Sequence, residues 1–271
     1  MARISQILIG SWSRHWGHFR KPEAQFLLGY GYENGFGFTQ NYQQAFKWFF
    51  KAAEQGNSEA QNGLGRLFYT GNGVNQDYQQ AFKWFSKAAE QGLSDAQFSL
   101  GSMYLSGEGV PQDYQGAFKW FSKAAERGND LAQYNLGLMY FLGQGVSQDY
   151  QGAFKWFSKA AEQGNSRAQF NLGKMYSKGH GVHQNYQQAY MWYSKAAEQG
   201  NTEAQVNLGV IYATGLGVPQ DYVLSHMWFN IAGINGDENA MKGRDMVAKE
   251  MTKAQIEKAQ LMAQEWIKKH R

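Results

Sequence analysis

Residues that could do chemistry are few and scattered in this chain. His180 and His183 share one loop, and His15 and His18 could share one helical face. A zinc site needs three or four convergent ligands. Neither pair has carboxylates at ligand spacing, and there is no cysteine. The positions equivalent to the two loop histidines hold Glu108 and Ser147 in sister loops. No metal and no other cofactor is implied. No nucleophile elbow, zincin helix or triad order occurs, and the serines fall where helix caps and exposed faces are expected. The reading is therefore not an enzyme, with no catalytic residue to name.

Two further patterns carry weak chemistry. The loop Gly107-Glu108-Gly109-Val110 precedes a helix, as phosphate cradles do, but no strand comes before it and no Gly-Lys-Ser/Thr follows. Lys47/Lys51, Lys83/Lys87, Lys119/Lys123 and Lys155/Lys159 form a regular basic series that could track phosphates. Each pair is followed three residues later by an acid, Glu54, Glu90, Glu126 or Glu162, which is the mixed charge of a solvated helix face. With a net charge of only +4, nucleic acid is not expected as a partner.

What positions all these residues is a repeat. Tryptophans at 48, 84, 120, 156, 192 and 228 stand 36 residues apart without a slip. A fixed interval over six copies is the mark of a solenoid, in which each unit buries surface against its neighbours. Within a unit a first helix (A) carries Ala96, Leu100, Met103 and Tyr104 on one face, at i, i+4, i+7 and i+8. A loop with two glycines follows. Asp or Asn then caps a second helix (B) that carries Tyr114, Ala117, Phe118, Phe121, Ala124 and Ala125, with Trp120 at the edge of the stripe, able to reach the next unit. The strict tryptophan spacing implies buried rings. Ser58/Gln61, Ser94/Gln97, Ser166/Gln169 and Thr202/Gln205 have the form of capping boxes.

The expected fold is all-α, an α/α superhelix (solenoid) of 36-residue helix–loop–helix units. Residues 1–22 read as a degenerate capping helix, with Trp12 in phase with Trp48. Six repeats follow over 23–236, at about 23–58, 59–94, 95–130, 131–166, 167–202 and 203–236. In 237–271 a degenerate half repeat precedes a C-terminal capping helix that starts at a Thr252/Gln255 box. No stretch reaches the length of a membrane span. The start has no cleavage site of signal-peptide type, and this, with the lack of cysteine, prefers the cytoplasm while leaving secreted and periplasmic locations open.

Aligned, the units resemble the Sel-one-like repeats, relatives of the tetratricopeptide solenoids. The likeness rests on A-x-x-x-L-G-x-M-Y, G-x-G-V-x-Q-D-Y and A-x-x-W-F-x-x-A-A-E-x-G across 96–128. It implies a right-handed superhelix of antiparallel helix pairs. The role it implies is that of an adaptor assembling other proteins in signalling, quality control or bacterial host interaction.

The units differ most at the helix A positions two, six and nine residues after the constant alanine, on the side opposite the core stripe. In solenoids of this kind the A helices line the concave surface, so these side chains would form a trough. The candidate partner-binding residues are Phe26, Tyr30, Arg66, Tyr69, Phe98, Leu105, Tyr134, Leu138, Phe141, Phe170 and Lys174. Phe98, Leu105, Tyr134, Leu138 and Phe141 form the expected centre. A face so apolar points to a non-catalytic scaffold that grips a peptide or protein partner. The alternative is a carbohydrate or cell-wall binder using the same aromatic stripe.

Overall fold

The computed structural model describes residues 20–234 and 236–270. The expected N-terminal cap, including Trp12, thus lies almost wholly outside the described residues. Among the described residues there are fourteen helices and no strand. Six helix pairs follow one another: α1 (Pro22–Asn34) and α2 (Tyr42–Glu54), α3 (Ser58–Thr70) and α4 (Tyr78–Glu90), α5 (Ser94–Ser106) and α6 (Tyr114–Glu126), α7 (Asp130–Leu142) and α8 (Tyr150–Glu162), α9 (Ser166–Lys178) and α10 (Tyr186–Glu198), α11 (Thr202–Thr214) and α12 (Tyr222–Ile234). Two more helices, α13 (Glu238–Ala248) and α14 (Lys253–His270), close the series. Contacts divide the chain into two units, residues 20–132 with 144–146, and residues 133–143 with 147–270.

Each B helix begins at the expected Asp or Asn; Asp77 Oδ1, for instance, accepts the Gln80 amide at 2.9 Å. Each A helix that has a described cap ends in a left-handed glycine, such as Gly107 at φ 79°. The second loop glycine answers a different demand. Gly109, at φ 74°, sits so close to the start of the preceding B helix that a Cβ would lie 2.5 Å from the Tyr78 carbonyl oxygen. The loop therefore locks onto the repeat before it. The constant glutamine of the loop completes the seal, as Gln112 Nε2 donates to the Leu105 carbonyl at 2.8 Å.

The packing unit straddles the sequence repeat. One core joins Ala45, Phe49 and Ala52 of α2 to Ala60, Leu64 and Leu67 of α3, and Trp84 of α4 closes it. Trp120 likewise packs on the core of α4 and α5, and Trp192 on that of α8 and α9. The tryptophan thus reaches the preceding repeat, not the next as its position suggested. The expectation of full burial also fails. Trp84 and Trp228 are 7% exposed, whereas Trp48, Trp120, Trp156 and Trp192 are half-buried. Their outer faces are covered by the second lysine of each basic pair, with Lys87 and Lys123 Nζ both 4.3 Å from the ring centroids of Trp84 and Trp120. These lysines are therefore cation–π partners, worth about 0.5–1 kcal/mol each at exposed sites, and not a plain solvated face.

The four capping boxes are also corrected. The cap lies one residue earlier, where Asn57 Oδ1 accepts the Ala60 amide at 2.8 Å; at Leu93 no side chain caps the helix. The glutamines are instead buried and bridge repeats. Gln61 Nε2 donates to the Ala53 carbonyl at 3.2 Å, and its Oε1 accepts from Gln91 Nε2 at 2.7 Å. Gln55 meets Gln25 at 2.7 Å, Gln163 meets Gln133 at 2.7 Å and Gln199 meets Gln169 at 2.8 Å. A buried carboxamide must have its donors and acceptors matched, and another carboxamide thirty residues on supplies the match. One rung is absent. Gln97 Oε1 is buried without a partner, and the residue thirty positions on is Arg127.

In the second unit α12 packs against both α13 and α14. Ala263 of α14 joins the core of α10, α11 and α12, and Trp266 meets Trp228 edge-on at 5.8 Å. The Thr252–Gln255 box does form, with Gln255 Oε1 accepting the Thr252 amide at 2.8 Å. No helix among the described residues is long and apolar enough to cross a membrane.

Candidate functional site

The helix A face follows from what the opposite face must do. Ala60 and Leu64 are fully buried and Leu67 is 1% exposed, which turns Arg66 and Tyr69 outward. Gly65 and Gly101 let the B-helix rings of Phe85 and Phe121 press against the A-helix backbone, where a Cβ would lie 2.5 and 2.6 Å from them. Those same rings support the first variable position. Phe26 stacks on Phe49 at 5.9 Å and Phe98 meets Phe121 at 5.8 Å. Such aromatics are anchored from behind and offer their remaining surface to the helix A face.

In the first unit α1, α3 and α5 line a groove of about 670 Å³. It brings together four of the candidate residues, Tyr30, Arg66, Tyr69 and Phe98, with Glu33, Gln40, Tyr42 and Ser102. Two links tie its walls across repeats. Arg66 donates to Glu33 Oε1 at 2.6 Å, with the arginine side chain 47% exposed and the carboxylate 13%. The Tyr69 hydroxyl donates to Glu108 Oε2 at 2.7 Å, and Ser106 adds a second donor at 3.0 Å. The hydrogen bond to Glu108, then burial, then the Glu108 charge push the Tyr69 pKa up to about 12. Phe26 packs beneath Tyr30, at 6.0 Å, without lining the groove, and Leu105 is half-buried outside it.

The second unit carries the other five candidates in a different state. Tyr134, Leu138 and Phe141 are half-buried against the core of α8 and α9. Tyr134 lies 5.9 Å from the Phe157 ring, and burial raises its pKa despite the hydrogen bond to Asn171 and the charge of Arg167. Phe141 touches Tyr150 at 5.1 Å and His180 at 6.0 Å, and His180 stacks on Tyr150 at 4.9 Å. That places His180 in aromatic packing. Phe170 meets Tyr193 at 5.9 Å, and Lys174 is half-buried beside it on α9. Among the described residues no group of three His, Cys, Asp or Glu could hold a metal.

Sequence reasoning did not single out Glu33 or Glu108 as partners of the variable positions. They lie 33 and 39 residues from Arg66 and Tyr69, close to the repeat length. An acid one period away from a base or a phenol was the signal available.

Successive helix pairs, glycine-locked loops and cores shared between neighbours define an all-α repeat protein of the solenoid class. The chain belongs to the Sel1 repeat family, whose model matches residues 22–57, 58–93, 94–129, 130–165, 166–201 and 202–237. A Sel1 repeat protein from Oxalobacter formigenes is 35% identical, covering 80% of this chain and 87% of its own, with a TM-score of 0.72. A protective antigen of uropathogenic Escherichia coli strains, displaying an SLR fold, is 29% identical, covering 92% of this chain and 84% of its own, with a TM-score of 0.39. No curated protein matches the chain. Proteins of this family generally mediate protein–protein interactions.

Proposed function

We propose that the chain is a non-catalytic adaptor that takes a peptide segment of a protein partner into the helix A groove of its first unit. The supporting observation is the groove itself. Three successive A helices contribute to it, and it combines anchored aromatic surface from Tyr30, Tyr69 and Phe98 with an accessible Arg66–Glu33 pair. Anchored aromatics and arginine are the side chains that dominate interfaces, the rings because they bury area with little loss of conformational freedom and arginine because its planar fork makes several directed hydrogen bonds. The charged pair orients the partner and selects against mismatched charge.

A photo-crosslinking amino acid placed at Ser102 tests this. Crosslinks from Ser102 to a protein, lost when the purified partner meets Arg66→Ala with Tyr30→Ala, are the expected result. Crosslinks arising only from a probe at Lys83, on the B-helix face, overturn it.

A further inference from the structure

Most hydrogen-bond donors on the wall of the helix A groove are already spent within the protein. The Ser99 and Ser102 hydroxyls donate to the Asp95 and Phe98 carbonyls at 2.9 and 3.1 Å, and the Thr70 hydroxyl donates to the Arg66 carbonyl at 2.9 Å. Gln40 Nε2 donates to the Glu33 carbonyl at 2.8 Å and to the Tyr42 hydroxyl at 2.9 Å. Asn34 Nδ2 donates to the Tyr30 carbonyl at 2.9 Å, and the Tyr69 hydroxyl is taken by Glu108. Arg66 is the exception. Its Nη2 alone holds Glu33, reaching Oε1 at 2.6 Å and Oε2 at 2.5 Å. Nε–H and the two Nη1 N–H groups have no partner among the described residues.

We infer, resting on the adaptor reading, that the segment taken into this groove carries an aspartate or glutamate side chain that docks on Arg66 between apolar neighbours. The sign of the charge follows from depth. Glu33 is 13% exposed with both oxygens engaged, whereas the Arg66 side chain lines the groove and is 47% exposed. An occupant therefore meets the guanidinium first, and a lysine or arginine meets like charge before it reaches the carboxylate. A partner carboxylate offers acceptors to more than one of the open N–H groups, and such charge-assisted bonds are roughly twice as strong as neutral ones. Position favours a side chain over a chain end. Arg66 lies on α3, the middle one of the three helices, with Tyr30 on α1 and Phe98 on α5 to either side. A segment that touches both rings runs on past Arg66 in each direction, and its apolar residues cover the rings.

The test selects displayed random peptides on the full chain and retains those whose capture is lost with Phe98→Ala. The retained peptides should share an acid beside an apolar residue. On the parent chain, a synthetic copy of one such peptide should bind at least about tenfold more tightly than its analogue with the matching amide in place of the acid. That comparison needs no variant. On Arg66→Gln the two peptides should differ by less than about twofold, because the pair is the source of the difference. Retained peptides rich in lysine or arginine, or an amide analogue that binds equally, overturn the acidic assignment while the adaptor reading stands. Binding lost only when the peptide's C-terminal carboxylate is amidated overturns the assignment to a side chain. If no captured peptide depends on Phe98, the adaptor reading and this inference both fall.

Discussion

The helix A faces of the two units rest on the same framework and use it differently. In the first, polar side chains link repeats, Arg66 to Glu33 and Tyr69 to Glu108, and an open groove remains between them. In the second, the corresponding positions hold Tyr134, Leu138 and Phe141, which lean on Phe157, Tyr150 and His180. Variability between repeats is therefore not the same as availability to a partner. An apolar residue free to vary still finds the nearest apolar wall, whereas a paired charge at the rim holds neighbouring helices in place and keeps its outer surface wet.

The largest expected effect separates the two faces directly. Tyr134→Ser with Phe141→Ser removes two half-buried rings and should destabilise the second unit by about 2–4 kcal/mol. Arg66→Ala alone should cost less, about 1 kcal/mol, because the guanidinium is half in solvent even though Glu33 is mostly buried. Urea unfolding of the two variants checks the contrast; a serine pair that melted like the parent would erase the distinction between the faces.

Next in size is the Tyr69 link. Tyr69→Phe should cost about 1–2 kcal/mol by leaving Glu108 short of a donor. The phenol's raised pKa also has a sign. Its stabilising contribution is complete below the unfolded value near 10 and is lost as pH rises toward about 12. Alkaline unfolding should accordingly lose part of its pH dependence in Tyr69→Phe. An unchanged profile would mean that the phenol does not tie the repeats.

Arg127→Gln sharpens the comparison from the framework side. It should supply the missing rung to Gln97 and raise stability by about 0.5–1.5 kcal/mol, read as a higher urea midpoint at unchanged slope. The reverse change at a rung already made, Gln91→Arg, should lower the midpoint.

The smallest effect concerns pH near neutrality. His226 is 2% exposed and stands where other B helices carry Phe82, Phe118 or Phe154. Burial first, and then the Arg244 charge, hold its pKa below the ordinary value, with Asp245 opposing. Its neutral form therefore contributes stability that is complete above about pH 6.5 and lost as pH falls below it. Melting at about pH 7.5 and 5.5 should show a larger acid loss in the parent than in His226→Phe.

Much of the framework is legible in the residues alone. The tryptophan interval, the alanine pairs such as Ala124 and Ala125, and the twin glycines determine helix pairs, close approach and turns through sterics that act within a few residues. The misread details all depend on a choice the pattern leaves open. Asn57 and Ser58 can each cap a helix, and only the backbone angles at the junction select the first. The constant glutamines have the form of half a capping box, although their partners at positions 55, 91, 163 and 199 recur with the same period. The direction in which Trp120 reaches, and the place where the helix A face opens into a groove, depend on contacts between elements that local periodicity does not encode.

The loop lock at Gly109 bears on how such a chain can change over generations. The glycine fits against the start of the preceding B helix only when the two copies are in phase, because the adjoining backbone leaves no room for a shifted residue. Unequal recombination that adds or deletes a whole copy recreates the same junction at both ends. Loss of a few residues leaves a loop with no seat. Relatives should therefore differ in length by whole copies, and a partner surface can be widened by duplication long before its side chains diverge.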